Sequence, residues 1–136
     1  MKAEELMIGD WVDIRLLDDE PGEHMYSQVE QLWECEIDAD FETSYDNVYP
    51  IPLTTEILEK NGYTSHDDLA GRGVEWISED NRIIMSDWEY DINSNNHWYI
   101  HIDNEDMDTI CTAEITYVHE FQHLLKLCKI EKKITL

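Results

Sequence analysis

His119, Glu120 and His123 fall within the stretch TYVHEFQHLL, residues 116–125. On a helix, a His-Glu-x-x-His spacing turns two imidazoles to one side, where they can ligate zinc while the glutamate acts as general base in a hydrolysis. The same stretch carries a competing pattern. Tyr117, Val118, Phe121, Leu124, Leu125 and Cys128 recur at helical spacing and form one apolar stripe. At ~100° per residue, His119 and His123 lie roughly 160° to 200° from the centre of that stripe. If the stripe faces the core, the histidines are expected to face solvent.

The uncharged or apolar flanks of the motif resemble the extended signature of the zincin peptidases, but the third ligand is missing. Metzincin-like spacing asks for Gly and His at the third and sixth positions after His123, where this sequence has Lys126 and Lys129. A gluzincin-like glutamate would come from a later helix, and the only carboxylate after His123 is Glu131. No catalytic residues or cofactor are therefore assigned. The alternative retained is a zinc metallohydrolase with ligands His119 and His123 and base Glu120.

Other metal-like spacings are weaker. His97 and His101 are also four apart, but on an expected strand, which separates them by about 13 Å. Asp38, Asp40 and Glu42 match the first alternate positions of a calcium loop. Its required glycine is replaced by Thr43, and Tyr49 stands at its twelfth position. Cys35, Cys111 and Cys128 form no Cys-x-x-Cys pair, so buried reduced thiols are expected rather than a zinc ribbon or a disulfide framework.

The second chemical feature is acidic. In WECEIDADFE, residues 33–42, Trp33, Cys35, Ile37, Ala39 and Phe41 alternate with Glu34, Glu36, Asp38, Asp40 and Glu42. A half-buried strand would align five carboxylates over about 27 Å, neighbours ~6.7 Å apart. Neighbouring charges at that distance repel by about 0.6 kcal/mol in water before screening. Asp87, Glu89 and Asp91 could make a second row. A solvated face or a guarded edge explains such rows. So does mimicry of the phosphate repeat of a nucleic-acid strand, which would suit the basic groove of a nucleic-acid-binding enzyme.

The elements that must position these groups read as an α+β fold in one domain, 1–136. An N-terminal strand block covers about 8–50, including DWVDIRL, YSQVEQL and the acidic stretch. A short helix follows at about 55–61, capped by Thr54 or Thr55 and ended by Asn61-Gly62. A C-terminal meander plus helix covers about 73–136. It comprises GVEWIS, RIIMSDWEYDI, HWYIHID and TICTAEI, with EDN and NSNN as turns. The closing helix, about 116–129, should pack on a sheet, and KKITL could return as an edge strand. In RIIMSDWEYDI, Ile84, Ser86, Trp88, Tyr90 and Ile92 should share one face, opposite the acids.

Composition supports a globular core: the chain is 42% hydrophobic with five Trp and seven Tyr. Thirty-two acids against nine bases give a formal charge of −23. Lys126, Lys129, Lys132 and Lys133 are four of those bases, so the rest of the chain is more acidic still. Such a surface repels nucleic acid and anionic membranes and attracts basic proteins. No apolar run suits a membrane span, no secretory signal is visible, and a cytoplasmic protein is expected.

MKAEELMIGDWV, PIPLTTEILEKNGY and YVHEFQHLLKLCKI together resemble a family of small uncharacterised proteins from phages and mobile elements of gut anaerobic bacteria. The resemblance covers about a third of the chain. It implies a cytoplasmic protein from a mobile-element setting and transfers no activity. In that pattern the positions matching Glu120 and His123 are Gln and Asn, so this sequence departs from it at the motif itself. The expectation is a non-enzymatic module that binds a basic protein through Glu34, Glu36, Asp38, Asp40, Glu42, Asp87, Glu89 and Asp91; a small structural or regulatory protein whose acidity serves solubility alone is the remaining alternative.

Overall fold

Short alternating segments separated by polar turns fold into antiparallel sheets. The computed structural model describes residues 1–16, 24–32, 36–38, 42–67, 73–87 and 97–136. Among these residues the fold is α+β, with sheets of three, three and five strands and two α-helices. The chain divides into two compact units, Met1–Ile51 with Tyr117–His123 and Pro52–Thr116 with Leu124–Leu136.

The first unit contains strands β1 (Trp11–Ile14), β2 (Met25–Gln28), β3 (Gln31–Leu32), β4 (Glu36–Asp38), β5 (Glu42–Ser44) and β6 (Val48–Tyr49). Strand β1 is the centre of one sheet, between β2 and β6. Val12 and Ile14 are fully buried and join Leu6, Val29, Ile37 and Val48 in an aliphatic core. Burying each such side chain contributes roughly 1.5–3 kcal/mol. The expected single strand in YSQVEQL is two strands, β2 and β3. Val29 N–H leaves that path to donate to Asp10 O at 2.9 Å.

The expected acidic strand is also corrected. Strands β4 and β5 pair antiparallel, with Glu36 opposite Ser44, Ile37 opposite Thr43 and Asp38 opposite Glu42. The chain thus reverses between Asp38 and Glu42, and the carboxylates do not line one continuous strand. Alternation reads the local period but does not register a reversal within it. Glu34 and Asp40 lie outside the described residues.

The second unit opens with helix α1 (Thr55–Lys60). Thr54 Oγ1 accepts from Ile57 N–H, and Gly62 sits past the end at φ +82°. Tyr63 N–H then closes back to Leu58 O, a glycine-terminated helix end as expected. Strands β7 (Thr64–Asp67), β8 (Val74–Ile77), β9 (Ile83–Asp87), β10 (Trp98–Asp103) and β11 (Thr109–Ile115) form one sheet in sequential antiparallel order. In β9 the fully buried residues are Ile83 and Met85, while Ile84 is half-buried. Of the expected acidic row of β9, Asp87 is described as a strand position; Glu89 and Asp91 lie outside the described residues.

Helix α2 (Val118–Leu127) closes the chain's regular structure, two residues inside the expected limits at each end. Val118, Phe121 and Leu125 of its stripe are buried to within 1%. KKITL forms no strand. The Asn61 side chain supplies both partners for its backbone, accepting from Thr135 N–H at 2.8 Å and donating to Thr135 O at 2.7 Å. Ile134 is buried beside that contact.

Candidate functional site

The three motif residues all lie in the first unit, and each has structural work. Glu120 Oε2 accepts the N–H of Tyr117 at 3.0 Å. A glutamate in the first turn reaching back to the residue before the helix is the capping-box arrangement. His123 Nε2 lies 2.7 Å from Oδ2 of Asp10, whose residue is 0% exposed. A carboxylate oxygen accepts, so Nε2 is the donor in this contact, and the lone pair of the neutral ring lies on Nδ1.

His119 corrects the expectation of an outward-facing pair. It is buried at 6% exposure, its ring stacked on Tyr117 at 5.8 Å between centroids. His123 meets it edge-on at 5.7 Å. The helix wheel located the apolar stripe correctly, but the opposite face of this turn is also covered within the unit. Burial holds the His119 imidazole below its ordinary pKa; nearby Glu120 and Asp10 oppose that shift and His123 adds to it. Among the described residues, its buried Nδ1 has no hydrogen-bond partner. Among the described residues, no three His, Cys, Asp or Glu are grouped to hold a metal ion. Glu120 Oε2 and His123 Nε2 are both engaged in structural contacts, and no step is derived through zinc.

Sequence reasoning missed Asp10 and Gln122. Gln122 Oε1 accepts Trp11 N–H at 2.9 Å, and its Nε2 donates to Gly9 O at 3.0 Å. Gln122 and His123 thereby hold the whole Gly9-Asp10-Trp11 lead into β1. Gly9 has φ +90°, a conformation that disfavours side chains, and its N–H donates to Val29 O at 2.7 Å. The readable signal was Gly-Asp directly before an apolar strand, a turn-and-cap pair. A second buried acid, Asp13, receives Arg15 Nε and meets His24 Nδ1, both at 2.8 Å.

The expected acidic surface is partly described. Asp38 is half-buried and opposite Glu42 in the β4–β5 pair, while Glu36 and Asp87 are strand positions. Between Arg15 and Lys60 the sequence contains neither Lys nor Arg. His97 and His101 bind different threonines rather than a common ligand. His97 Nδ1 is 2.8 Å from Thr116 Oγ1, and His101 Nε2 is 3.0 Å from Thr109 Oγ1.

The structure adds a surface that the sequence did not single out. One face of the five-stranded sheet buries Trp76, Met85, Ile100 and Ile102. On the other face, strand register sets His66, Glu75, Ser86, Tyr99 and Glu114 side by side across all five strands. Ile84, His101 and Thr112 form the adjacent row, and the face encloses a depression of about 540 Å³. Ser86 is buried within it, whereas Tyr99 is 41% exposed. Among the described residues, no Lys or Arg lines the depression.

Compared with protein-family models, curated proteins and solved structures, the chain matches none. Among the described residues, no helix is long and apolar enough to cross a membrane.

Proposed function

We propose that the chain is a non-enzymatic, cytoplasmic protein-binding module that engages a basic partner through acidic surface. The observation that supports this most is the base-free stretch between Arg15 and Lys60 in a chain of charge −23, with Asp38 and Glu42 directly opposed in its β4–β5 pair. A chain of this charge repels itself when folded, a cost that a cationic partner would relieve. The narrower form of the reading is an inhibitor that mimics nucleic acid, in the mobile-element setting that the resemblance implies. Two short antiparallel segments replace the single long row, so such mimicry would rest on the hairpin as a unit.

The test replaces Glu34, Glu36, Asp38, Asp40 and Glu42 with Ser and compares capture of host proteins at low and high salt. A partner lost in the variant, released by salt and competed by DNA supports the inhibitor. Capture unchanged by the substitutions or by salt overturns the whole reading. The competing class, a zinc metallohydrolase, draws on the buried, unpartnered His119 Nδ1. Metal analysis of protein purified without chelator decides it; zinc near one per chain would favour the enzyme.

A further inference from the structure

We propose that the open face of the five-stranded sheet docks an extended segment of a partner protein bearing two lysines or arginines four residues apart. This inference rests on the basic-partner reading above and names the surface and the segment.

The geometry starts with the cross-strand row. Glu75, Ser86, Tyr99 and Glu114 are consecutive neighbours on β8, β9, β10 and β11. Strands lie ~4.8 Å apart, so Glu75 and Glu114 are separated by about 14 Å across the sheet. In an extended peptide, residues i and i+4 project to the same side about 13 Å apart. Two bases at that spacing match the two glutamates in one placement. The residue between them, i+2, falls over Ser86 and Tyr99.

The lining chemistry favours this occupant. Glu75 is half-buried and Glu114 exposed, and both belong to a depression whose apolar surface on this face comes from Ile84 and Tyr99. A carboxylate beside apolar wall attracts a cation more strongly than one in open water, because field lines are less screened. A purely apolar segment would leave the glutamates desolvated, and an acidic one would be repelled.

The probe is a synthetic extended peptide with lysines at i and i+4, valine at i+2 and serine elsewhere. Its control has the same composition with the two lysines adjacent. Affinity is measured by calorimetry, and the bound surface is mapped by amide chemical shifts. The i, i+4 peptide should bind more tightly than the control and shift β8–β11. The Glu75→Gln/Glu114→Gln pair should weaken it at least tenfold. Asp38→Ser/Glu42→Ser should leave its affinity unchanged. Circular dichroism verifies that each variant is folded.

If instead the hairpin variant loses the peptide and the sheet variant keeps it, this inference fails while the basic-partner reading stands. Equal binding of both peptides, or shifts confined to other surfaces, also overturns it. Absence of binding to either peptide overturns it as well, and the capture experiment then decides the broader reading by itself. Concentration-dependent self-association lost in the Glu75→Gln/Glu114→Gln variant would make a second copy's lysine cluster the occupant and likewise overturn it.

Discussion

His123 places its Nε2 2.7 Å from Oδ2 of Asp10, a residue with no exposed surface, while the ring itself remains about a quarter exposed. Replacing His123 with Ala removes one partner of a buried carboxylate, and Met7 N–H stays on the same oxygen at 2.7 Å. The expected loss is about 1–3 kcal/mol in urea unfolding, toward the lower end because solvent reaches the ring. A loss below about 0.5 kcal/mol would show that water replaces the imidazole. His119 supports a prediction of opposite character, in pH. Its folded pKa is depressed by burial below the ordinary 6.5, so the unfolded chain takes up the proton first as pH falls. Its contribution to stability is complete above 6.5 and declines as pH drops from there toward the folded value. A His119→Asn variant should therefore lose less stability than the natural chain between pH 8 and mildly acidic pH; parallel profiles would refute that assignment. The letters of the motif were legible, but their partners Asp10 and Tyr117 N–H were not. Asp10 and His123 are 113 positions apart, and no local pattern links them.

At the scale of elements, legibility follows how much of each element's order is local. Helix α1 carries its own start and stop in Thr54 and Gly62, and its limits were readable within a residue. Strand β7, Thr-Ser-His-Asp, is exposed at every position and has no apolar alternation to announce it. It exists because β8 offers an edge, and its polar side chains suit an edge strand. The β4–β5 reversal was hidden for the converse reason: alternation continued across it. Helix α2 ends on a feature open to test. Lys129 stands at φ 56°, with its N–H on Lys126 O and Ile130 N–H on Leu125 O. That is a left-handed helix terminus of the kind glycine usually fills, and a side chain there costs about 1 kcal/mol. Lys129→Gly should raise stability by about 0.5–1 kcal/mol in urea unfolding, despite the greater freedom glycine gives the unfolded chain. A destabilised variant would mean that the Lys129 side chain contributes more than its backbone strain costs.

Across the whole molecule, charge dominates, and composition made it readable without any structure. What composition left open was its distribution: two acids, Asp10 and Asp13, are buried against histidines, while four of the six lysines lie after residue 125. A folded chain of net charge −23 holds its surface carboxylates closer than the unfolded chain does, so self-repulsion opposes folding. Screening relieves this over distances beyond the Debye length, which shrinks from ~30 Å at 0.01 M to ~8 Å at 0.15 M salt. The buried His–Asp contacts are short and sheltered, so salt weakens them less than it weakens the surface repulsion. Stability should therefore rise with salt across that range, by a few degrees in Tm if the net relief is about 1 kcal/mol. Sodium, potassium and magnesium chlorides compared at equal ionic strength separate general screening from a specific site. Equal rises would mark diffuse repulsion, and a larger rise with magnesium would mark carboxylates gathered closely enough to share a divalent ion. A Tm that is flat or falls with all three would show that the acidic surface imposes no net cost on the fold. The repulsion argument for a basic partner would then lose its energetic basis.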